Sequence, residues 1–113
     1  MDCMNKIVKV LVDRPLGSCH PTYKNIVYPV NYGYIPNIMA NDGEEQDAYV
    51  LGVNFPLKEF TGKVIAIIHR KNDIEDKLVV VPENIVLSKE EILQSVYFQE
   101  QFFEIEIEIE IEM

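Results

Sequence analysis

The sequence predicts a mainly β protein built as a small closed or semi-closed antiparallel barrel, with one helix and one further strand after it. Three observations carry that expectation. Five short β-branched or apolar segments recur between residues 6 and 81, compact loops join them, and no long helical pattern separates them as a parallel sheet would require. The chain has 113 residues, which suits one domain spanning 1–113 with a single modest core. Apolar residues at 48% place it among globular rather than disordered chains.

Lys6–Asp13, K-I-V-K-V-L-V-D, reads as the first strand, with Lys6 and Lys9 at polar positions. Arg14-Pro15-Leu16-Gly17 stops it. Cys19 to Asn25 is loop-like, since Pro21 disfavours helix at His20, and Ile26–Tyr28 starts a second short strand. Ala48–Val53 is the third strand and Gly62–His69 the fourth; Arg70–Asp76 is a charged turn. Lys77–Val81 is the fifth, ended by Pro82.

Ser88-Lys89-Glu90-Glu91 has the form of a capping box and predicts a helix after it. Ile92, Leu93, Val96, Tyr97 and Phe98 form its apolar stripe, which should pack on the barrel. From Phe103 to Glu112 isoleucine alternates with glutamate, a period of two that gives a strand with one apolar and one anionic face. Ile105, Ile107, Ile109 and Ile111 need a barrel edge or a second subunit, and the second option, a homo-oligomer, is slightly favoured.

The formal net charge is −9, which argues against a nucleic-acid partner, because phosphate neutralisation needs clustered Lys and Arg. Five glutamates between Glu104 and Glu112 supply much of that charge. No apolar run approaches the roughly 18 residues of a membrane span, so no membrane partner is expected. The start lacks a basic region leading into an apolar segment, which makes the cytoplasm the expected location. Cys3 and Cys19 read as free thiols.

The densest chemical signal lies between Tyr28 and Val53. Asp42, Glu44 and Asp47 follow an Asn-Asp-Gly turn and lead into the apolar run from Ala48. Carboxylates held in such a loop suit a hard cation, Mg²⁺ first, and neither His nor Cys is there to favour zinc. Spacing alone also fits a solvated acidic turn.

The preceding Y-P-V-N-Y-G-Y-I-P-N, Tyr28 to Asn37, changes that balance. With D-G-E-E-Q-D at 42–47 it resembles the family I soluble inorganic pyrophosphatases, whose hallmark runs Y-P-x-N-Y-G-Y-I-P-x-T and then D-G-D-P-x-D. Glu75 to Pro82 is similar to the family's D-x-K-L-x-x-V-P, and Val12-Asp13-Arg14 to its V-D-R. The resemblance implies an OB-like barrel that hydrolyses inorganic pyrophosphate to two phosphates by two-metal activation of water. Carried over, Asp42, Asp47 and Glu75 would hold Mg²⁺, and Glu44 would orient the attacking water. Lys77 and Arg14 would grip phosphate, and Tyr32 would be the active-site tyrosine.

The departures imply a competing reading. Arg70 and Lys71 stand where the family has an Asp-Glu pair, Glu44 and Glu75 replace aspartates, and Glu45 replaces a proline. Phe102 and Phe103 replace a phosphate-binding Tyr and Lys in a segment similar to the family's H-F-F-E-x-Y-K. A degenerate metal- or phosphate-binding barrel, or an assembly module without efficient turnover, is the alternative function. Arg70 and Lys71 are expected to substitute in part for the lost phosphate contacts.

Overall fold

Among the described residues of the computed structural model, 3–71 and 75–109, a single long strand closes the barrel. The elements run β1 (Ile7–Arg14), β2 (Asn31–Met39), β3 (Glu45–Val50), β4 (Glu59–Arg70), β5 (Asp76–Val81), α1 (Lys89–Glu100) and β6 (Ile105–Ile109). The first half of β4 pairs with β1, from Leu11↔Glu59 to Ile7↔Lys63. Its second half pairs along the same edge with β6, from Ala66↔Ile109 to Arg70↔Ile105, and its other edge takes β5. The circuit β1-β2-β3-β5-β4 and back to β1 is closed.

The expected barrel is thus present, with one parallel neighbour pair, β3 beside β5, in an otherwise antiparallel ring. The β5 sequence, D-K-L-V-V-V, is buried at each position from Lys77 onward, because both faces of this central strand are covered. Alternate residues feed two clusters. Val10, Ile35, Ala48, Val50, Leu78 and Val80 form one. Tyr49, Leu51, Ile68, Val79, Val81 and the helix residues Ile92 and Val96 form the other.

The place of the second strand needs correction. Ile26–Tyr28 is not a strand: Val27 makes only an isolated bridge with Cys19. The second strand is instead β2, formed by the Tyr-Gly-Pro-Asn-rich segment that lacks a β-branched run. Its register against β3 shifts between Ile35 and Met39, around Pro36, which has no N–H to give, and Asn37 at φ 70°. Gly33 is required there, since a Cβ would lie 1.9 Å from the Leu11 carbonyl oxygen on β1.

The tail forms the expected strand. Ile105, Ile107 and Ile109 pack, half-buried, against the second cluster, so of the two expected partners the barrel edge takes this face. Ile111 lies outside the described residues. The helix begins with the expected box: Ser88 Oγ accepts from the Glu91 N–H at 3.1 Å and Glu91 Oε1 from the Ser88 N–H at 3.0 Å. Its buried stripe is Ile92, Val96 and Glu100, one residue every helical turn, while Leu93 and Tyr97 face water.

Candidate active site

The parallel register that sets Ala48 beside Leu78 also brings Asp47 alongside Lys77. Lys77 Nζ lies 2.5 Å from Asp47 Oδ2 and 2.9 Å from Glu75 Oε2. The lysine is 3% exposed, a burial tolerable for an ammonium because two carboxylates meet it. Tyr32, paired across the sheet with Tyr49, places its ring 5.8 Å from the same nitrogen. Burial, reinforced by the Asp47 charge, pushes the Tyr32 hydroxyl well above the usual tyrosine range, so it remains a proton donor.

Asp42 and Glu44 sit at the tip of the β2–β3 hairpin. The turn is closed by Ala40 N–H donating to the Glu44 carbonyl at 2.8 Å and Gly43 N–H to the Ala40 carbonyl at 3.1 Å. Gly43 supplies the left-handed φ of 83° that the turn needs. Asp42 Oδ1 accepts from the Glu44 N–H at 3.0 Å; this bond, then the neighbouring Glu75 carboxyl, lowers the Asp42 pKa. The Glu44 side chain is exposed. Arg14 ends β1 opposite Tyr32 and reaches its own neighbour Asp13 and the Tyr28 hydroxyl.

The fold therefore gathers Asp47, Glu75, Lys77 and Tyr32, sets Asp42 beside Glu75, and leaves Glu44 and Arg14 at the periphery. Among the described residues no three His, Cys, Asp or Glu side chains converge as a finished metal cage. The donor set nonetheless fits a hard cation: its oxygens are all carboxylate, and the Lys77 ammonium marks a point where two of them already meet one positive charge. His20 is a loop cap, its Nδ1 accepting from the N–H groups of Thr22 and Tyr23 at 3.0 and 3.1 Å.

Behind Lys77 stands a buried network that periodicity and motif do not reveal. Arg70 donates from Nε to Glu100 Oε1 at 2.9 Å and from a terminal nitrogen to Oε2 at 2.7 Å, with Glu75 at 3.4 Å. Its guanidinium lies 3.7 Å from the Phe103 ring centre. Tyr49 donates to Glu100 at 2.7 Å, Gln99 to the Tyr49 oxygen at 2.6 Å, and Tyr28 to Gln99 at 3.0 Å. Burial opposes charge on Arg70, but Glu100 outweighs it and raises the arginine pKa. The one signal in the sequence is the four-residue spacing from Ile92 and Val96, which puts Glu100 on the helix face that enters the core.

Arg70, Lys77 and Tyr32 line a cavity of about 850 Å³ whose other walls include Tyr23, Gln99, Phe98 and Phe102. Arg70 thus lies near the site, as expected of a replacement cation, but is already bound to Glu100. Lys71 is exposed and ties the end of β4 to Glu104 through its backbone N–H at 2.7 Å.

These features agree with what the chain is similar to. The family model described as inorganic pyrophosphatase matches residues 4–106. An inorganic pyrophosphatase of Saccharolobus solfataricus is 39% identical over 80 residues, covering 66% of this chain and 42% of the relative. One of Campylobacter jejuni is 33% identical over 82 residues, again 66% of this chain and 42% of the relative. The chain therefore spans less than half the length of these relatives. In fold, the crystal structure of an inorganic pyrophosphatase from Ehrlichia chaffeensis superposes with a TM-score of 0.72 at 18% identity, over 96% of this chain and 88% of that one. That from Thermus thermophilus gives 0.61 at 17% identity, over 96% and 85%. With a family match that runs through the barrel, the carboxylate hairpin and the helix, the chain belongs to the inorganic pyrophosphatase family.

Proposed function

We propose that the chain hydrolyses inorganic pyrophosphate to two phosphates in the cytoplasm, with a divalent cation, Mg²⁺ in the first instance, held by Asp42, Asp47 and Glu75. The observation that carries this reading is the meeting of Asp47 and Glu75 on Lys77, with Asp42 alongside, in a member of this family. When bound, the cation would neutralise phosphate charge and lower the pKa of water toward neutrality.

The residues of the chain divide the remaining work. Lys77 has three N–H donors, two of them engaged by carboxylates, which leaves one for a phosphate oxygen. Tyr32, kept protonated, directs its one O–H at Asp47 and so helps fix that carboxylate beside Lys77. Glu44, exposed at the hairpin tip, orients the attacking water and takes up its proton. Arg14 adds positive charge at the rim.

Phe102 and Phe103 bring no charge to the cavity, and Arg70 is committed to Glu100. Two missing charged contacts, at about 1.5–3 kcal/mol each, slow turnover by roughly a hundred- to ten-thousand-fold relative to a site that has them. The same observations favour the second reading, a barrel that binds metal and phosphate without turning over.

Phosphate release from pyrophosphate separates the two. Release is expected with Mg²⁺, absent in excess EDTA, and lost in Asp47→Asn with the circular dichroism unchanged, because an amide is a poorer ligand for a hard cation. Wild type without metal-dependent release points to the binding module.

A further inference from the structure

We infer that Arg70 is a resident cation that holds the place of a metal ion, so that the acids around it take one divalent cation per chain rather than two. This rests on the metal-dependent reading above. Among the described residues four carboxylates form a connected set: Glu100 and Glu75 lie 2.7 and 3.4 Å from Arg70, and Glu75 and Asp47 lie 2.9 and 2.5 Å from Lys77. Asp42 is the fourth, beside Glu75. Among the described residues Arg70 and Lys77 are the cations that meet them.

The two cations are held differently. Arg70 is 8% exposed, grips both oxygens of Glu100 through its planar fork, and has one face against the Phe103 ring. A guanidinium neither deprotonates nor gives up bidentate geometry easily, so the Glu100 end is closed to metal. Lys77 is a point charge on a flexible stem, next to the exposed hairpin that carries Asp42 and Glu44. The open position for a divalent ion is therefore at Asp42, Asp47 and Glu75. A clamp that merely ties α1 to β4 would keep the fold but leave the metal count untouched.

The test counts Mn²⁺ bound per folded chain by equilibrium dialysis, with electron paramagnetic resonance as the second readout. Wild type and Arg70→Lys are expected to bind one Mn²⁺ and Arg70→Gln two, folding being monitored by far-ultraviolet circular dichroism. Glu100→Gln, nearly the same shape, removes one negative charge from the set and should weaken the single site tenfold or more, although Glu100 does not touch it. That variant decides the matter if Arg70→Gln does not fold: unchanged Mn²⁺ affinity would overturn the inference. Two Mn²⁺ on wild type, or one on a folded Arg70→Gln, also overturns it while leaving metal-dependent hydrolysis intact. No bound Mn²⁺ on wild type overturns the metal-dependent reading and this inference with it.

Discussion

Glu100 shows how a single residue is governed by partners far away in sequence. It is 1% exposed and is satisfied by Arg70 and Tyr49, 30 and 51 positions distant. A buried pair of this kind adds little net stability over an apolar pair, yet removing one member strands the other charge. Glu100→Ala is accordingly expected to lower the unfolding free energy by about 3–5 kcal/mol, and Arg70→Met with Glu100→Gln by clearly less, both read from urea denaturation. A loss for the double variant as large as for the single one would show that the ion pair itself stabilises the fold. Asp42, Asp47 and Lys77 were legible as candidates because they fall within short motifs whose residue types state their chemistry. Arg70 was legible only as a stray cation. Its partner is chosen by the crossing of β4 and α1, which no local pattern encodes.

At the scale of elements, the strands that announce themselves are those with β-branched runs; β2 does not, because its tyrosines, Gly33 and Pro36 serve a close β1 approach and a register shift. The burial of β5 on both faces was written in K-L-V-V-V, a run without alternation, but its place between β3 and β4 was not. The tail's period of two identified a strand and left its partner open; β4 had a free length of edge beyond β1 and took it. That junction carries a titratable contact. His69 on β4 lies 3.2 Å from Asp76 through Nδ1 and 2.8 Å from Glu108 on β6 through Nε2. Partial burial works to lower its pKa, but the two carboxylates outweigh it and the net shift is upward. A raised histidine pKa means that the folded state binds the proton more tightly. The contribution is therefore complete below the ordinary value of about 6.5 and is lost as pH rises through the higher folded value. His69→Gln should lower the melting temperature more at pH 5.5 than at pH 8.5, and an equal loss at both would remove the charged contact from the account.

For the molecule as a whole, the sequence's acid excess and its fold meet at one place. The net charge of −9 is spread over the chain, but the carboxylates that the barrel draws together around Lys77 and Arg70 leave a local excess that binding of a cation can relieve. Composition made the excess visible; only the closure of β3 against β5 and β4 shows which acids share it. A ligand that binds the folded chain alone stabilises it by mass action, about 2.7 kcal/mol at a hundredfold excess over its Kd. For a domain near this size each kcal/mol moves the melting temperature by about 4–8 °C, so saturating Mg²⁺ should raise it by roughly 10 °C or more. General screening of the negative surface would also raise it, but NaCl at matched ionic strength reproduces that part. The specific rise should vanish in Asp47→Asn and on adding EDTA. A rise that NaCl matches in full, or that survives in Asp47→Asn, would assign the effect to the overall charge and not to the gathered carboxylates.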